Sequence, residues 1–574
     1  MRKFFTLLFL VASFPLWAQQ YNNEWIKYNQ TYYKFNVGST GVYRISKSVL
    51  DNAGIGAAGV QFFELWRNGK PVRFYPSVPS GPLPANGYIE FWGEANDGVA
   101  DNPLYRDSVY QHSKAVSLST DTAAYFLSVN TSQAGILHVD VPNNVASNSL
   151  PIEPYFMYSA SVNFRNKINP GFAAVVGEYV YSSAYDKGEF WSSADIRPGS
   201  PLVHSLSSLN VNTSVPSSTL NFGVVGDALN TRSVNVNING TDLGNIVMDY
   251  FNDLHTSIAF PTTLISSGNL SFQVSNTSPV STDRMVVSYY EIQYPRQFNF
   301  GNNKNFKFQL PAKGAGYYLE ITNFSYGAST PVLYNITLGQ RYAGDISTPG
   351  TVKFAIPGST SDNEFVLINT EAANINTVTS LTSRNFVRFS DAANQGRFLI
   401  ITHPDLYTGT HGNNPIQDYK NYRASAAGGG HSVQVININE LVDQFAFGIK
   451  KHPLSIKNFL RYCHNIFAQK PENVLLIGHG MTYNQYRLNE FRPDVEKLNL
   501  IPTFGNPASD NMLSSNNATS PSVVTPIGRL SVVNAREIED YLEKLKEYEN
   551  AQKTSPNTIA GRAWMKNIVH VTGS

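Results

Sequence analysis

One cysteine, Cys463, stands among 574 residues, which rules out an intramolecular disulfide framework. Charge is scarce at 15% of residues and nearly balanced, with 43 Lys plus Arg against 42 Asp plus Glu, so no global field points to nucleic acid or an anionic surface. Long apolar runs are missing except at the N-terminus, and helical periodicity is almost absent before residue 391. What remains is aromatic, Gly- and Asn-rich and dotted with 31 prolines, the composition of exported β-rich material. At this length several domains are expected.

The N-terminus gives the destination. Arg2 and Lys3 precede FFTLLFLVASFPLW, which ends at Ala18 before Gln19-Gln20. A basic start, an apolar stretch interrupted by Ser13 and Pro15, and a small residue at the cut predict a secretory signal peptide over 1–18. The mature chain is then expected to be secreted or held at the cell surface.

From Tyr21 to about Asn385 short alternating runs are separated by turn residues. QTYYKFNV puts Tyr33, Phe35 and Val37 on one face, and FFELWRNGKPVRFYP folds back at Asn68-Gly69, a strong hairpin signal. Runs such as GYIEFWG, RSVNVNING and TVKFAIP continue the pattern, predicting β-sandwich-like modules over 19–150 and 151–300 and a β-rich linker domain over 301–390.

After Asp391 the period changes. RFLIIT, SVQVINI and ENVLLIG read as near-continuous apolar strands. Between them IQDYKNYRASAAGGG reads as a helix stopped by glycines, and PLSIKNFLRYCHNIFAQKP as a second helix opening at Pro453. Strand and helix alternating in this way predict a parallel sheet covered on both faces over 391–574. A helix follows in NAREIEDYLEKLKEYENAQ, with Asn534 as N-cap, Glu537 three residues on, and a stripe of Ile538, Tyr541, Leu542, Leu545 and Tyr548. KNIVHVT reads as a last strand before Ser574.

Candidate chemistry is sparse. Ile456, Phe459, Leu460, Cys463 and Phe467 share one helix face, so Cys463 reads as core; a reactive thiolate needs partial exposure and a positive neighbourhood. His479 follows VLLI as His403 and Asp405 follow FLIIT, at the strand ends where parallel sheets bind ligands, so both are expected to face one crevice. The competing reading makes His479 a strand cap or loop anchor, because no nucleophile accompanies it. A zinc site from His403, Asp405, His411 and His479 lacks any recognised ligand spacing. EANDGVAD, residues 94–101, gathers oxygen ligands and leaves a structural calcium open, but the EF-hand register is absent and a β-turn is the preferred reading. No other cofactor is expected, and Gly428-Gly429-Gly430 lacks the lysine of a phosphate loop.

RFLIITHPDL, INELVDQFAFGIKKHPLSIKNFLRYC, PENVLLIGHG and FGNPASDNMLSS leading to TPIGRLSVVNAREIEDYLEKLKEYE occur in an order that resembles the gingipain-type cysteine peptidases, family C25, in particular the larger members related to the type IX secretion sortase. Upstream, GVYRIS, ELWRNGKPV and GYIEFWGEANDGVADNPLYR are similar to the β-domain that precedes the peptidase in those members. The resemblance implies a caspase-like fold of two α/β subdomains with a His–Cys dyad in the second. It implies a protein or peptide substrate, and outer-membrane secretion machinery as a candidate partner. In that family the catalytic His follows a segment like AWMKNIVHVTG, which here ends the sequence, so the dyad is expected beyond Ser574, this chain is expected to be inactive alone, and His479 is the one candidate left within it. The expected fold is therefore multidomain: all-β modules, then an incomplete caspase-like α/β domain. The expected function is that of a secreted cysteine endopeptidase or sortase-like transpeptidase; a noncatalytic adhesin or secretion scaffold on the same fold is the alternative.

Overall fold

The computed structural model describes residues 21–175, 179–517, 520 and 522–568. The signal segment 1–18 and residues 569–572 of the expected last strand lie outside the described residues. Within that strand's sequence, Lys566 closes the 3-10 turn Ala563–Lys566 and Ile568 is 90% exposed.

The N-terminal β-structure contains two sheets. In the first, Thr31–Val37 (β1) lies between Ala123–Val129 and Thr382–Asn385, and the hairpin Phe63–Arg67 with Lys70–Val72 completes it. Asn68 and Gly69 both have positive φ, 49° and 68°, as a two-residue hairpin turn requires. The second sheet runs Ile375–Val378, Gly41–Ser46 (β2), Tyr88–Gly93, Tyr75–Pro76. Phe35 and Val37 are buried and Tyr33 partly buried in one core cluster. Tyr32, on the other face of β1, is buried as well, with its ring 5.4 Å from that of Trp25. Both faces of the strand are therefore covered. The strands Ile375–Val378 (β3) and Thr382–Asn385 (β4) return the chain to this structure from far along the sequence, each as an edge strand.

A β-sandwich follows. Four strands, Asp253–Pro261, Ser217–Gly226, Met285–Arg296 and Phe156–Asn163, face four others, Leu202–Leu206, Leu270–Asn276, Ser233–Ile238 and Thr241–Val247. Phe222, Phe272 and Tyr290 fill the space between them, Phe272 and Tyr290 stacking at 4.2 Å. Residues 299–368 supply a further pair of sheets, one of three strands and one of four that Val139–Asp140 extends to five, around Phe300, Phe306, Phe308 and Phe354.

The last domain is α/β. Phe398–Thr402 (β5), Val433–Asn437 (β6), Asn473–Ile477 (β7) and Ile527–Leu530 (β8) form a sheet ordered β6-β5-β7-β8, parallel throughout. Leu399, Ile400 and Ile401 are each 0% exposed, which requires cover on both faces of the sheet. The cover comes from Pro415–Ala424 (α1), Ile438–Phe445 (α2), Leu454–Ile466 (α3), Tyr483–Asn489 (α4) and Ala535–Thr554 (α5); α1 packs on α5, and α2 on α3.

Three local expectations change. Helix α1 ends at Ala424, where Ser425 takes over the last carbonyls, so the glycines of 428–430 form a separate turn; Gly429 and Gly430 have φ of 110° and 65°. Helix α2 was not anticipated between SVQVINI and PLSIKNF; Asn437, at the end of β6, caps it by accepting from Asn439 N at 2.9 Å. In α5 the Asn534 cap forms, with its side chain accepting from Glu537 N at 3.2 Å, but only Ile538 and Leu542 of the stripe are buried, while Tyr541 and Tyr548 are exposed at its margins.

Candidate functional site

The strand order reverses at β5, with β6 on one side and β7 on the other. In sheets of this kind the carboxyl ends beside the reversal open a crevice. Here they carry His403 after β5, Asn437 at the end of β6 and Gly478-His479 after β7. A cavity of about 860 Å³ lies at this end, between the α/β domain and the N-terminal β-structure. His403, Lys451, Tyr486 and Glu496 line it from one side; Lys34, Asn36, Thr120, Ser380 and Arg384 line it from the other.

Ion pairs build the walls. Asp443, on the buried face of α2, receives Lys34 Nζ at 2.5 Å and Arg384 Nη2 at 2.6 Å, joining the helix to β1 and β4. Across the cavity Glu496 accepts from Lys450 at 2.6 Å and from the Tyr486 hydroxyl. Burial pushes the Glu496 carboxyl up, but these two donors and the Lys451 charge outweigh it and hold it below its ordinary value. Lys451 is itself lowered by burial, against the pull of Glu496, and its ammonium reaches the Asn499 carbonyl.

The two strand-end histidines have different surroundings. His403 lines the cavity. Its Nδ1 accepts from Asp405 N at 3.2 Å, and burial, with Lys451 nearby, lowers its pKa against the opposing Asp405 charge. A neutral ring with Nδ1 occupied leaves Nε2–H as the group it can present. His479 is not among the residues lining the cavity. Its Nδ1 points to the Leu498 carbonyl, its backbone N–H donates to Val532 O at 2.7 Å, and its carbonyl accepts from Leu500 N and Ile501 N at 2.9 and 3.0 Å. The residue ties three loop segments together, and the expectation that both rings face one crevice holds for His403 alone.

Cys463 sits in α3, 0% exposed, and burial pushes its thiol well above the ordinary range. The four-residue zinc arrangement is not assembled, since His411 lines a different cavity between α1 and α5. Among the described residues no group of three His, Cys, Asp or Glu side chains is placed to hold a metal. The carboxylates of 94–101 diverge: Glu94 meets Lys307 at 2.7 Å, Asp97 meets Arg67 at 2.8 Å, and the buried Asp101 accepts from His452 Nε2 at 2.9 Å and Leu118 N at 2.7 Å. Oxygens committed to separate protein donors do not fit a calcium cage.

Two basic side chains that shape the site, Lys457 buried and Arg529 partly buried, belong to no sequence motif. Lys457, on α3, donates to Met512 O, Ser515 O and Ser515 Oγ at 2.7, 2.9 and 2.8 Å, fixing the loop that enters β8; burial lowers its pKa to about 7. Arg529, on β8, forks onto Asp510 with two 2.8 Å bonds and donates to Gly478 O, Ile501 O and Pro502 O, which sets the path of the chain after β7.

A covered parallel sheet with a crevice beyond its carboxyl ends, preceded by β-sandwich modules, defines a multidomain protein of β-modules followed by an α/β domain. Residues 391–574 match the model for peptidase family C25, so this part of the chain is similar to that family. The fold as a whole is similar to the crystal structure of dimeric latent PorU from Porphyromonas gingivalis, with a TM-score of 0.60 and 13% identity over 94% of this chain and 50% of that one. This chain thus spans about half the length of that solved protein. Smaller likenesses link about a quarter of the chain to carbohydrate-binding modules. One is a CBM36 in complex with calcium and xylotriose, at 13% identity and a TM-score of 0.16 over 23% of this chain and 98% of the module; another is the CBM35 from Cellvibrio japonicus Abf62, at 11% identity and 0.16 over 24% and 97%. No curated protein matches the chain. Among the described residues no helix is long and apolar enough to cross a membrane.

Proposed function

We propose that this chain is the N-terminal part of a secreted or surface-held cysteine peptidase of gingipain type, an endopeptidase or a sortase-like transpeptidase. Its protein substrate lies in the crevice beside β5, and the His–Cys dyad comes from residues beyond Ser574. The match of residues 391–574 to family C25 carries the reading. The burial of Cys463 supports placing the nucleophile elsewhere. In such an enzyme a His-assisted thiolate attacks the peptide carbonyl, the amine leaves, and water or a second amine resolves the acyl-enzyme. Water gives hydrolysis and an amine gives transfer. His479, held by its loop contacts, is read as a positioning residue.

The single buried thiol equally favours a noncatalytic scaffold or adhesin if the longer protein supplies no dyad. Turnover of a fluorogenic peptide by the longest natural form separates the two readings. Peptidase function predicts thiol-dependent turnover that Cys463→Ala leaves within about twofold and that His479→Ala lowers by clearly less than the hundred- to ten-thousandfold of general-base loss. Absence of thiol-dependent turnover selects the scaffold. A hundredfold or larger loss in either folded variant would return the dyad to this chain.

A further inference from the structure

Strand β1 is paired unequally on its two sides. Against Ala123–Val129 it is matched from Tyr32↔Ser128 through Val37↔Ala123. Against β4 the ladder runs only from Thr31↔Asn385 to Lys34↔Thr382, where β4 begins. Phe35–Val37 therefore present an open edge on that side, and no hydrogen bond outside the ladder reaches their backbone among the described residues. The open edge lies in the crevice, since Lys34, Phe35 and Asn36 line the cavity together with Thr379 and Ser380 of the β3–β4 connection and Thr382 of β4.

An open strand edge is a template for another strand. Natural proteins cover such edges or blunt them with charge, and this one does neither: the flanking Lys34 is drawn to Asp443, and Asn36 is neutral. The remaining wall charges are satisfied by one another, Arg384 with Asp443 and Lys450 with Glu496. The β3–β4 wall offers the hydroxyls of Thr377, Thr379 and Ser380. The crevice thus makes little demand on ligand charge and supplies, along about 10 Å of strand, the unpaired backbone groups of the alternate residues that face the open side.

We propose that the open edge of β1 at Phe35–Val37 is a peptide-binding seat, where an extended polypeptide segment adds as a strand in line with β4 and runs through the crevice. Recognition is through the ligand backbone, so the seat selects extended, proline-free stretches over any one side chain. The N-terminal β-structure then forms half of the substrate site. The inference rests on the peptide-substrate reading of the crevice, but it concerns binding and is tested without turnover.

Because Cys463 is buried, Ser380→Cys in the full chain gives one accessible thiol beside the seat. In thiol–disulfide exchange this thiolate attacks the disulfide of an eight-residue peptide joined to 2-mercaptoethanol, forming protein–S–S–peptide and releasing 2-mercaptoethanol. The probe is a pool with one cysteine and seven randomised non-proline residues, compared with the same pool N-methylated at alternate residues. At equilibrium the native-backbone pool is expected to be captured at least tenfold better by Ser380→Cys and equally with the methylated pool by the remote Thr213→Cys. Adding Asn36→Pro to Ser380→Cys should remove the preference, with circular dichroism checking the fold; where that variant does not fold, the comparison of pools stands alone. Capture of both pools within twofold at Ser380→Cys, or the same preference at Thr213→Cys, would overturn the proposal. Preferential capture by a protein whose longest form lacks peptidase turnover would keep the seat and remove the catalytic reading.

Discussion

The sandwich draws its core from its own strands: Phe164, Phe222, Phe272, Tyr290 and Tyr294 all fall between residues 156 and 296. The α/β domain does not. The cluster that contains Leu399, Phe459, Cys463 and Ile538 also takes in Tyr21, Leu104, Tyr105, Ile168 and Tyr185. Tyr105 donates to the Glu189 carbonyl, Tyr185 stacks on Tyr483 at 5.2 Å, and Asp101 holds His452, so segments from early in the chain close the face of a domain formed at its end. The sandwich core comes from one stretch of chain, although Ile168 and Tyr185 within that stretch pack on the α/β domain. The α/β domain is a sheet whose covering is shared, and its crevice exists only because β1, β3 and β4 stand opposite it.

Excision gives the largest expected difference. Residues 156–296 alone should melt cooperatively, whereas 391–574 alone, without Tyr21, Tyr105 and Tyr185, should show no cooperative transition by circular dichroism and little protection from amide exchange. A cooperative melt of the isolated 391–574 segment would break the comparison. Next come single core deletions. Phe459→Ala and Phe222→Ala, both at fully buried rings, should each cost about 3–5 kcal/mol. Their reach should differ: exchange is expected to rise at Tyr105 and Tyr185 for Phe459→Ala and to stay within the sandwich for Phe222→Ala.

The smallest effect lies at the junction. Glu189 is buried, with Tyr483 Oη donating at 2.6 Å and Asp186 N at 3.1 Å, and with Tyr105, Tyr185 and the Asp186 carboxylate around it. Burial raises its carboxyl well above the ordinary value near 4.5, against the two donors. A raised folded-state pKa means that the unfolded chain releases this proton first. The stabilisation is complete below about pH 4.5 and is lost as pH rises toward the folded value. Glu189→Gln, which cannot ionise, should flatten the decline in melting temperature as pH rises above about 4.5. Parallel profiles for the two proteins would show that Glu189 is not held protonated.

The contrast also explains what could be read in advance. The switch from period two to strand–helix alternation after Asp391 is a local property, so the parallel sheet, the α3 stripe and the Asn534 cap were legible. Placing His403 and His479 at strand ends was legible too, because strand polarity fixes it. Which ring enters the crevice was not, since that depends on Leu498, Val532 and Ile501 arriving from elsewhere. Asp443, Lys457 and Arg529 take their roles from partners 19 to 409 residues away in sequence, and no window along the chain contains both ends of such a bond. The carboxylates of 94–101 looked like a ligand set for the same reason: Lys307 and His452, which claim two of them, lie far downstream.

The central claim is that the lone thiol of this chain is core and takes no part in cysteine chemistry. Alkylation of Cys463 by iodoacetamide at about pH 8 tests it directly in the full, folded chain. The account predicts a native rate at least about a hundredfold below that of free cysteine, rising to the free value once urea unfolds the α/β domain. A native rate equal to or above that of free cysteine would contradict it.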